Sequence, residues 1–392
     1  MPASTAPRHP VLVTALMCAV ATVGATIFAI SPLLVEVAAA FSVPVARAGA
    51  LLTVFSIAIA VVAPVVGLAA QRLPRDRVIV AGLLVFAFAW AAAGSASSFE
   101  WLLGAAALAG GATGAVLPAA YAYAGDLSRY DERAHVMGRI VSGWSLAILV
   151  VVPVMAVTAQ SVDWRWAFGA LALAASAIAL LLALAPRPAL AAPDVPVGAQ
   201  SVAGSLRQVL RDRPTVLVLV CNGIDMGAFY AVYAFIGAEM HRLNGFGPAL
   251  SGLVVAAYGL GLALVTFNGR AIDRIGKKRT AVGALLSLGV VLSALPWLAA
   301  SPIAMAAGIV VWGCVQGSFF TSITALATEQ IPRLRGVVTA LLSASTYVGV
   351  TLYSLVAAAL YQSPGYWAVG LASAAGCLVA ALLLSRLPAE RG

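Results

Sequence analysis

The chain has 392 residues, of which 62% are hydrophobic and 9% charged. Soluble domains carry roughly 25% charged residues, so this composition excludes a soluble globular protein and fits one embedded in a membrane. The net charge of +9 sits at the ends of apolar runs and not along one face, which argues against a nucleic-acid partner.

The length suits about twelve helices of ~20 residues joined by short loops. The apolar runs are long and do not alternate, which argues against a β-barrel. Residues 1–10 form a polar tail, and no cleavable signal peptide is expected behind it. The first span covers about 11–34 and is expected to break at Ser31-Pro32, leaving Glu36, Phe41 and Arg47 on a short outer segment. The second, at about 48–70, runs into the basic loop Gly67–Arg77. Spans three to six follow at about 78–97, 101–123, 138–159 and 165–186. Residues 187–213 then change character: Pro188, Pro193 and Pro196 precede Arg207, Arg211 and Arg213, as in a linker that ends in an amphipathic helix on the membrane surface. Spans seven to twelve are expected at about 214–237, 249–270, 280–298, 302–328, 337–360 and 366–386.

A second, stronger basic loop, Gly269–Arg279, lies about half the chain beyond Gly67. The repeat divides the chain into two six-helix halves, 1–186 and 214–392, with 187–213 between them. If the N-terminus is cytoplasmic, only Arg47, Arg165 and Arg242 of the 23 basic residues lie outside. Both termini are therefore expected on the cytoplasmic side of a bacterial inner membrane, multi-pass. Trp101, Trp164, Trp166, Trp297 and Trp367 are expected as interface anchors. Cys18, Cys221, Cys314 and Cys377 read as packing residues inside apolar runs. His9, His135 and His241 are scattered outside the spans, and neither a metal nor any other cofactor is expected.

A transporter built from repeats places its site near the bilayer centre, between the halves. Asp225 lies twelve residues beyond Arg213, about 18 Å along a helix, and is the acidic residue deepest in any span. A charge there costs about 2.5–3.5 kcal/mol. No basic residue lies at that depth, so desolvation favours the neutral acid and lets it exchange a proton. Asp225 is expected to face a water-reachable cleft where the halves meet. Two other readings stand beside this one: a neutral Asp hydrogen-bonded to Asn222 or Gln316 that holds helices together, and direct contact with a cationic substrate. Asn222, Asp225, Met226 and Phe229 share a helical face. Trp312, Gln316, Phe319 and Phe320 of span ten could oppose them, with Thr22, Thr26 and Thr113 at similar depth in spans one and four. Aromatics with a few polar groups suit an amphipathic small organic ligand.

The basic loops supply a candidate latch. Gly269 permits close packing, and Asp273 can approach a helix N-terminus. Arg274, Lys277 and Arg279, with Gly67, Arg72 and Arg75 in the first loop, can hold acidic partners or lipid phosphates and lock the cytoplasmic side shut. The plainer reading is charge that sets topology.

The run Gly-x-x-x-Asp-Arg-x-Gly-Lys-Lys-Arg, residues 269–279, resembles the signature loop of the major facilitator superfamily, and the whole chain fits that family's 6 + 6 plan. Ser31-Pro32-Leu33-Leu34, Ala63-Pro64, Arg72-Leu73-Pro74-Arg75, Ser142-Gly143, Pro153 and Asp163–Phe168 resemble the twelve-span drug/proton antiporters of the sugar- and arabinose-efflux type. The resemblance implies an all-α fold and a monomer. It also implies a secondary transporter, not an enzyme, that exports a drug-like or sugar-like molecule, with protons as the coupled ion. Three departures matter. Gln71 stands where the signature has Asp, Ala106 and Ala107 stand where many antiporters carry an intramembrane Arg, and span five lacks the antiporters' Gly-Pro-x-x-Gly-Gly run. Proton coupling therefore cannot be carried over from the N-terminal half, and Asp225 remains as its candidate. A proton-independent facilitator or uptake permease is the alternative, and a non-transporting receptor is a third.

Overall fold

A computed structural model describes residues 9–69, 74–128, 132–186, 202–265 and 274–387. Among these, twelve helices are long and apolar enough to cross a membrane, and there is no strand. They are α1 (Pro10–Ala40), α2 (Ala50–Ala69), α3 (Arg75–Gly94), α4 (Phe99–Leu127), α5 (His135–Ser161) and α6 (Trp164–Leu184). The second six are α7 (Arg213–Asn244), α8 (Pro248–Val265), α9 (Lys277–Leu298), α10 (Pro302–Gln330), α11 (Arg335–Gln362) and α12 (Tyr366–Ser385). A short amphipathic helix, Val202–Arg211, leads into α7. Of the expected linker 187–213, residues 187–201 lie outside the described residues.

The helix starts are written in the sequence. Ser98, Asp163, Asp212 and Ser301 each accept a backbone N–H from the first turn of α4, α6, α7 and α10, the usual job of an N-cap side chain. Gly245, at φ 67°, closes α7 in the left-handed conformation. The expected break at Ser31-Pro32 does not occur, because α1 runs unbroken to Ala40 and carries Glu36 with it. A proline removes one intrahelical bond, and flanking helices hold the rest together. Pro153 has a visible local effect. The turn before it, Ala147–Val151, widens to a π-helix, one of the ways a helix absorbs a missing donor.

Helices α1–α6 pack among themselves, as do α7–α12. The halves meet chiefly where α1 packs on α7, α2 on α11 and α5 on α8, and α1 also touches α8. Helices α1 and α7 are central, each 78% buried over its apolar window against 33–61% for the others. An even number of spans returns the chain to the end where it began, so the bundle has a terminal end and a distal end. Three hydrogen bonds between described residues cross between the halves. Gly237 N donates to Ser31 Oγ (3.3 Å), Ala249 N donates to Gln160 Oε1 (3.0 Å), and the Thr53 and Ser354 hydroxyls share the third (2.8 Å). All three lie in the distal halves of their helices. Gly237 is needed there, because a Cβ would stand 2.5 Å from Ser31 O and 3.0 Å from Pro32 Cα.

Of the five tryptophans expected as anchors, Trp101, Trp166, Trp297 and Trp367 are exposed. Trp164 is not one of them, since it is 3% exposed and packs against Phe41 and Phe168 with the Arg165 guanidinium over its ring. The polar atom of an interfacial Trp should meet water, and here Nε1 is buried.

Candidate functional site

Asp225 sits near the middle of α7, turned toward α10. Gln316 Nε2 donates to its Oδ2 at 2.5 Å, and Trp312 Nε1 donates to Gln316 Oε1 at 3.2 Å. An indole N–H can only donate, so it fixes which end of the Gln316 amide meets the carboxyl. One turn earlier on α7, Asn222 Nδ2 donates to Leu342 O, Ser345 Oγ and Thr346 Oγ1 of α11. Gly223 and Gly349 make this α7–α11 approach possible: a Cβ on Gly223 would lie 2.9 Å from Ser345 O.

The expected water-reachable cleft around Asp225 is not what the structure shows. The residue is 1% exposed, its hydrogen-bond partner Gln316 belongs to the second half, and so do Tyr258, Tyr353 and Cys377, the titratable groups that feel its charge. The cause is packing. From Asn222 to Met240, α7 is buried on nearly every side, between α1, α8, α10, α11 and α12.

Aromatic rings fill the space beside Asp225. Phe229 lies 4.7 Å from Trp312, 5.2 Å from Tyr258 and 5.5 Å from Tyr233, centroid to centroid. Phe28 of α1 reaches across the halves to Tyr233 (5.3 Å) and Tyr230 (5.9 Å), and to Trp144 of α5 (6.0 Å). Trp144 Nε1 in turn donates to Tyr121 OH of α4 at 2.7 Å. One ring cluster thus spans α1, α5, α7, α8 and α10, with a hydrogen bond to α4. Sequence reasoning found Phe229 and Trp312. It missed Phe28, Tyr233, Tyr258, Trp144 and Tyr121, whose only signal is aromatic content at mid-span depth.

The remaining candidates divide. Phe320 and Phe319 are both absent from the ring cluster, although Phe319 is buried. Phe320 lies about 40° around α10 from Gln316 and opposite Val311, yet it is 48% exposed. Its ring therefore borders space toward the terminal end and not the membrane-facing row. Thr22, Thr26 and Thr113 are buried, and no hydrogen bond between described residues joins them to Asp225. Thr113 Oγ1 donates to its own helix at Ala109 O, 2.9 Å, as buried threonines commonly do.

Of the latch residues, Gly269, Asp273 and Arg72 lie outside the described residues, and Gly67 is described only as backbone. The described contacts tie neighbours within each half and not one half to the other. Arg75 at the start of α3 pairs with Asp126 at the end of α4 (2.5 Å) and donates to Ala122 O (2.8 Å). At the equivalent place, Lys277 at the start of α9 pairs with Glu329 at the end of α10. Both clamps join the terminal ends of equivalent helices, which displays the internal repeat in three dimensions. For Arg274 and Arg279 the structure gives no ion pair with a described residue.

Comparisons with known proteins agree with this architecture. The family profile described as Major Facilitator Superfamily matches residues 16–241 and 215–392. An uncharacterized MFS-type transporter, YwfA of Bacillus subtilis (strain 168), is 33% identical over 367 residues, covering 93% of this chain and 89% of its own. The chloramphenicol resistance protein of Streptomyces lividans is 28% identical over 375 residues, covering 93% and 94%. Among solved structures, a bacterial homolog of the human lysosomal transporter Spinster, inward-facing and occupied, superposes with a TM-score of 0.80 at 16% identity over 97% of each chain. A point mutant of the nucleoside transporter NupG gives 0.77 at 13%, over 95% of this chain and 99% of that one. With twelve spans in the expected order and profile matches in both halves, the chain belongs to the Major Facilitator Superfamily and is a multi-pass membrane transporter, not an enzyme.

Proposed function

We propose that this transporter exports a small, drug-like organic molecule from the cytoplasm by alternating access, driven by proton entry through Asp225. It works in the bacterial inner membrane as a monomer, with both termini cytoplasmic. One observation carries the coupling: a carboxyl stands midway along a membrane-spanning helix with Oδ1 buried and unpartnered and no cation beside it among the described residues. One charge crossing 100 mV supplies about 2.3 kcal/mol, so a proton bound from one side and released to the other can do useful work. The likeness to a chloramphenicol resistance protein supports export and a drug-like substrate. The aromatic cluster around Phe229 supports an amphipathic one. Distal seams between the halves, with Phe320 bordering space at the terminal end, fit a conformation that loads from the cytoplasm. On this reading the terminal-end clamps Arg75–Asp126 and Lys277–Glu329 stiffen each half for rigid-body rocking, with lipid phosphates as partners for the remaining basic residues.

The enclosure of Asp225 favours a second reading, a proton-independent facilitator in which the carboxyl only ties α7 to α10. Inverted vesicles separate the two, with chloramphenicol as the first compound and a growth panel of deletion and overexpressing strains to extend it. Under the proposal, Asp225→Asn loses uptake driven by a pH gradient and retains counterflow exchange. Gradient-driven uptake equal to wild type rejects it.

A further inference from the structure

Among the described residues of α7, the buried Asn222 Oδ1, Asp225 Oδ1 and Tyr233 hydroxyl have no partner; Tyr233 stands eight residues beyond Asp225, and the amide and carboxylate oxygens can only accept. Asn222 and Asp225 lie three residues apart on one helix, where side chains are neighbours with Cβ atoms about 5–6 Å apart. The orientation of each is fixed by its other contacts. Leu342 O can only accept, so the amide atom facing it is Nδ2, whose two hydrogens are shared among Leu342 O and the Ser345 and Thr346 hydroxyls. Asp225 Oδ2 is taken by Gln316, whose own direction Trp312 sets. One side chain is drawn toward α11 and the other toward α10, and the two residues lie about 60° apart around α7. Two acceptors cannot satisfy each other, and each left unmade is costly in an apolar interior.

Resting on the reading of Asp225 as the proton carrier, we infer that Asn222 Oδ1 is the acceptor that holds the carried proton, so that Asn222 and Asp225 together form the proton site. The proton arrives from hydronium, bonds to Asp225 Oδ1, and that O–H donates to Asn222 Oδ1. On release it returns to water, and the only covalent bond that forms or breaks is O–H. The groups facing the pair are Cys221 on α7, Tyr258 on α8, Trp312 and Gln316 on α10, Tyr353 on α11 and Cys377 on α12. None of these is a Lys, Arg, His or second carboxyl, so no competing counter-ion is described at the site. Asn222 is a positioning residue: it acts on the proton's residence and not on the substrate.

The test is a pH titration of the carboxylic-acid infrared band of the purified full-length protein in lipid, with the Asp225 band identified by its absence in Asp225→Asn. Asn222→Ala should move that band to higher frequency, as a lost hydrogen bond requires, and move its midpoint to lower pH by about 0.5–1 unit. Leu342 O keeps the Ser345 and Thr346 hydroxyls as donors in that variant, so no α11 acceptor is left bare. Asn222→Ser, whose short hydroxyl turns to its own helix backbone, should give the same shifts if the Ala variant does not assemble. Ser345→Ala, which spares Oδ1, should leave band and midpoint in place. An unmoved band in Asn222→Ala overturns the inference. So does a wild-type band that vanishes when sodium chloride replaces choline chloride, because the oxygens would then hold a metal cation. If no wild-type band is missing from Asp225→Asn, the proton-carrier reading itself fails, a result distinct from both.

Discussion

Gly237→Ala tests whether the distal seams between α1 and α7, α2 and α11, and α5 and α8 open together. The added methyl would stand 2.5 Å from Ser31 O and 3.0 Å from Pro32 Cα, where ordinary contact is about 3.5–4.0 Å. Both obstacles are backbone atoms of a helix, so α1 and α7 must separate by about 1 Å. Overpacking of this kind costs about 1–3 kcal/mol. The cost falls only on the distally closed state, so the open state gains about 5- to 150-fold in population. The reporter is Thr53→Cys, remote from the mutation at the α2–α11 seam and 5% exposed in this structure. A membrane-impermeant maleimide added from the distal side should label it at least five times faster with Gly237→Ala than without. An equal rate would mean that the seams move independently or that Gly237 can be filled without strain, and would refute the reasoning.

Gln160→Ala removes the acceptor of Ala249 N at the α5–α8 seam. Losing one exposed hydrogen bond costs about 0.5–1.5 kcal/mol, so the same labelling should rise by less than in Gly237→Ala. Arg75→Ala breaks the clamp to Asp126 and Ala122 O; with both side chains about a third exposed, unfolding in detergent should show a loss of no more than about 1 kcal/mol. Trp312→Phe keeps the ring but removes the donor that directs Gln316, and proton-driven transport should fall while purified yield stays unchanged. If protons entering from the distal side drive export, as proposed, acidifying that side should accelerate wild-type export and leave Asp225→Asn unaffected; equal acceleration of the variant would separate acid stimulation from Asp225.

The twelve spans are legible in the sequence because each is a long apolar run bounded by charge, and the halves because Gly67–Arg77 and Gly269–Arg279 repeat. Pro32 misleads, since a membrane helix whose neighbours hold it on both sides tolerates a proline that would end an isolated one. The meeting of Gln316 with Asp225 is readable as two polar residues at matched depth in equivalent helices. The ring cluster is not, because Phe28, Trp144, Tyr233 and Tyr258 come from four helices whose rotations only packing decides. Asp126 and Glu329 look like charges that merely end a span, and their partnership with Arg75 and Lys277 appears only when α3 meets α4 and α9 meets α10. The enclosure of Asp225 was equally hidden: depth follows from counting residues along α7, but access depends on how closely five neighbouring helices approach it.

Whether substrate and proton move together is tested most directly in lightly buffered proteoliposomes. A pulse of the compound found by the growth panel is added, and the pH inside and outside is followed as it crosses. Wild type should move protons opposite to the substrate, and Asp225→Asn, reconstituted to the same level, should transport down the substrate gradient with no pH change. A silent wild type, or identical proton movement with Asp225→Asn, would contradict the account.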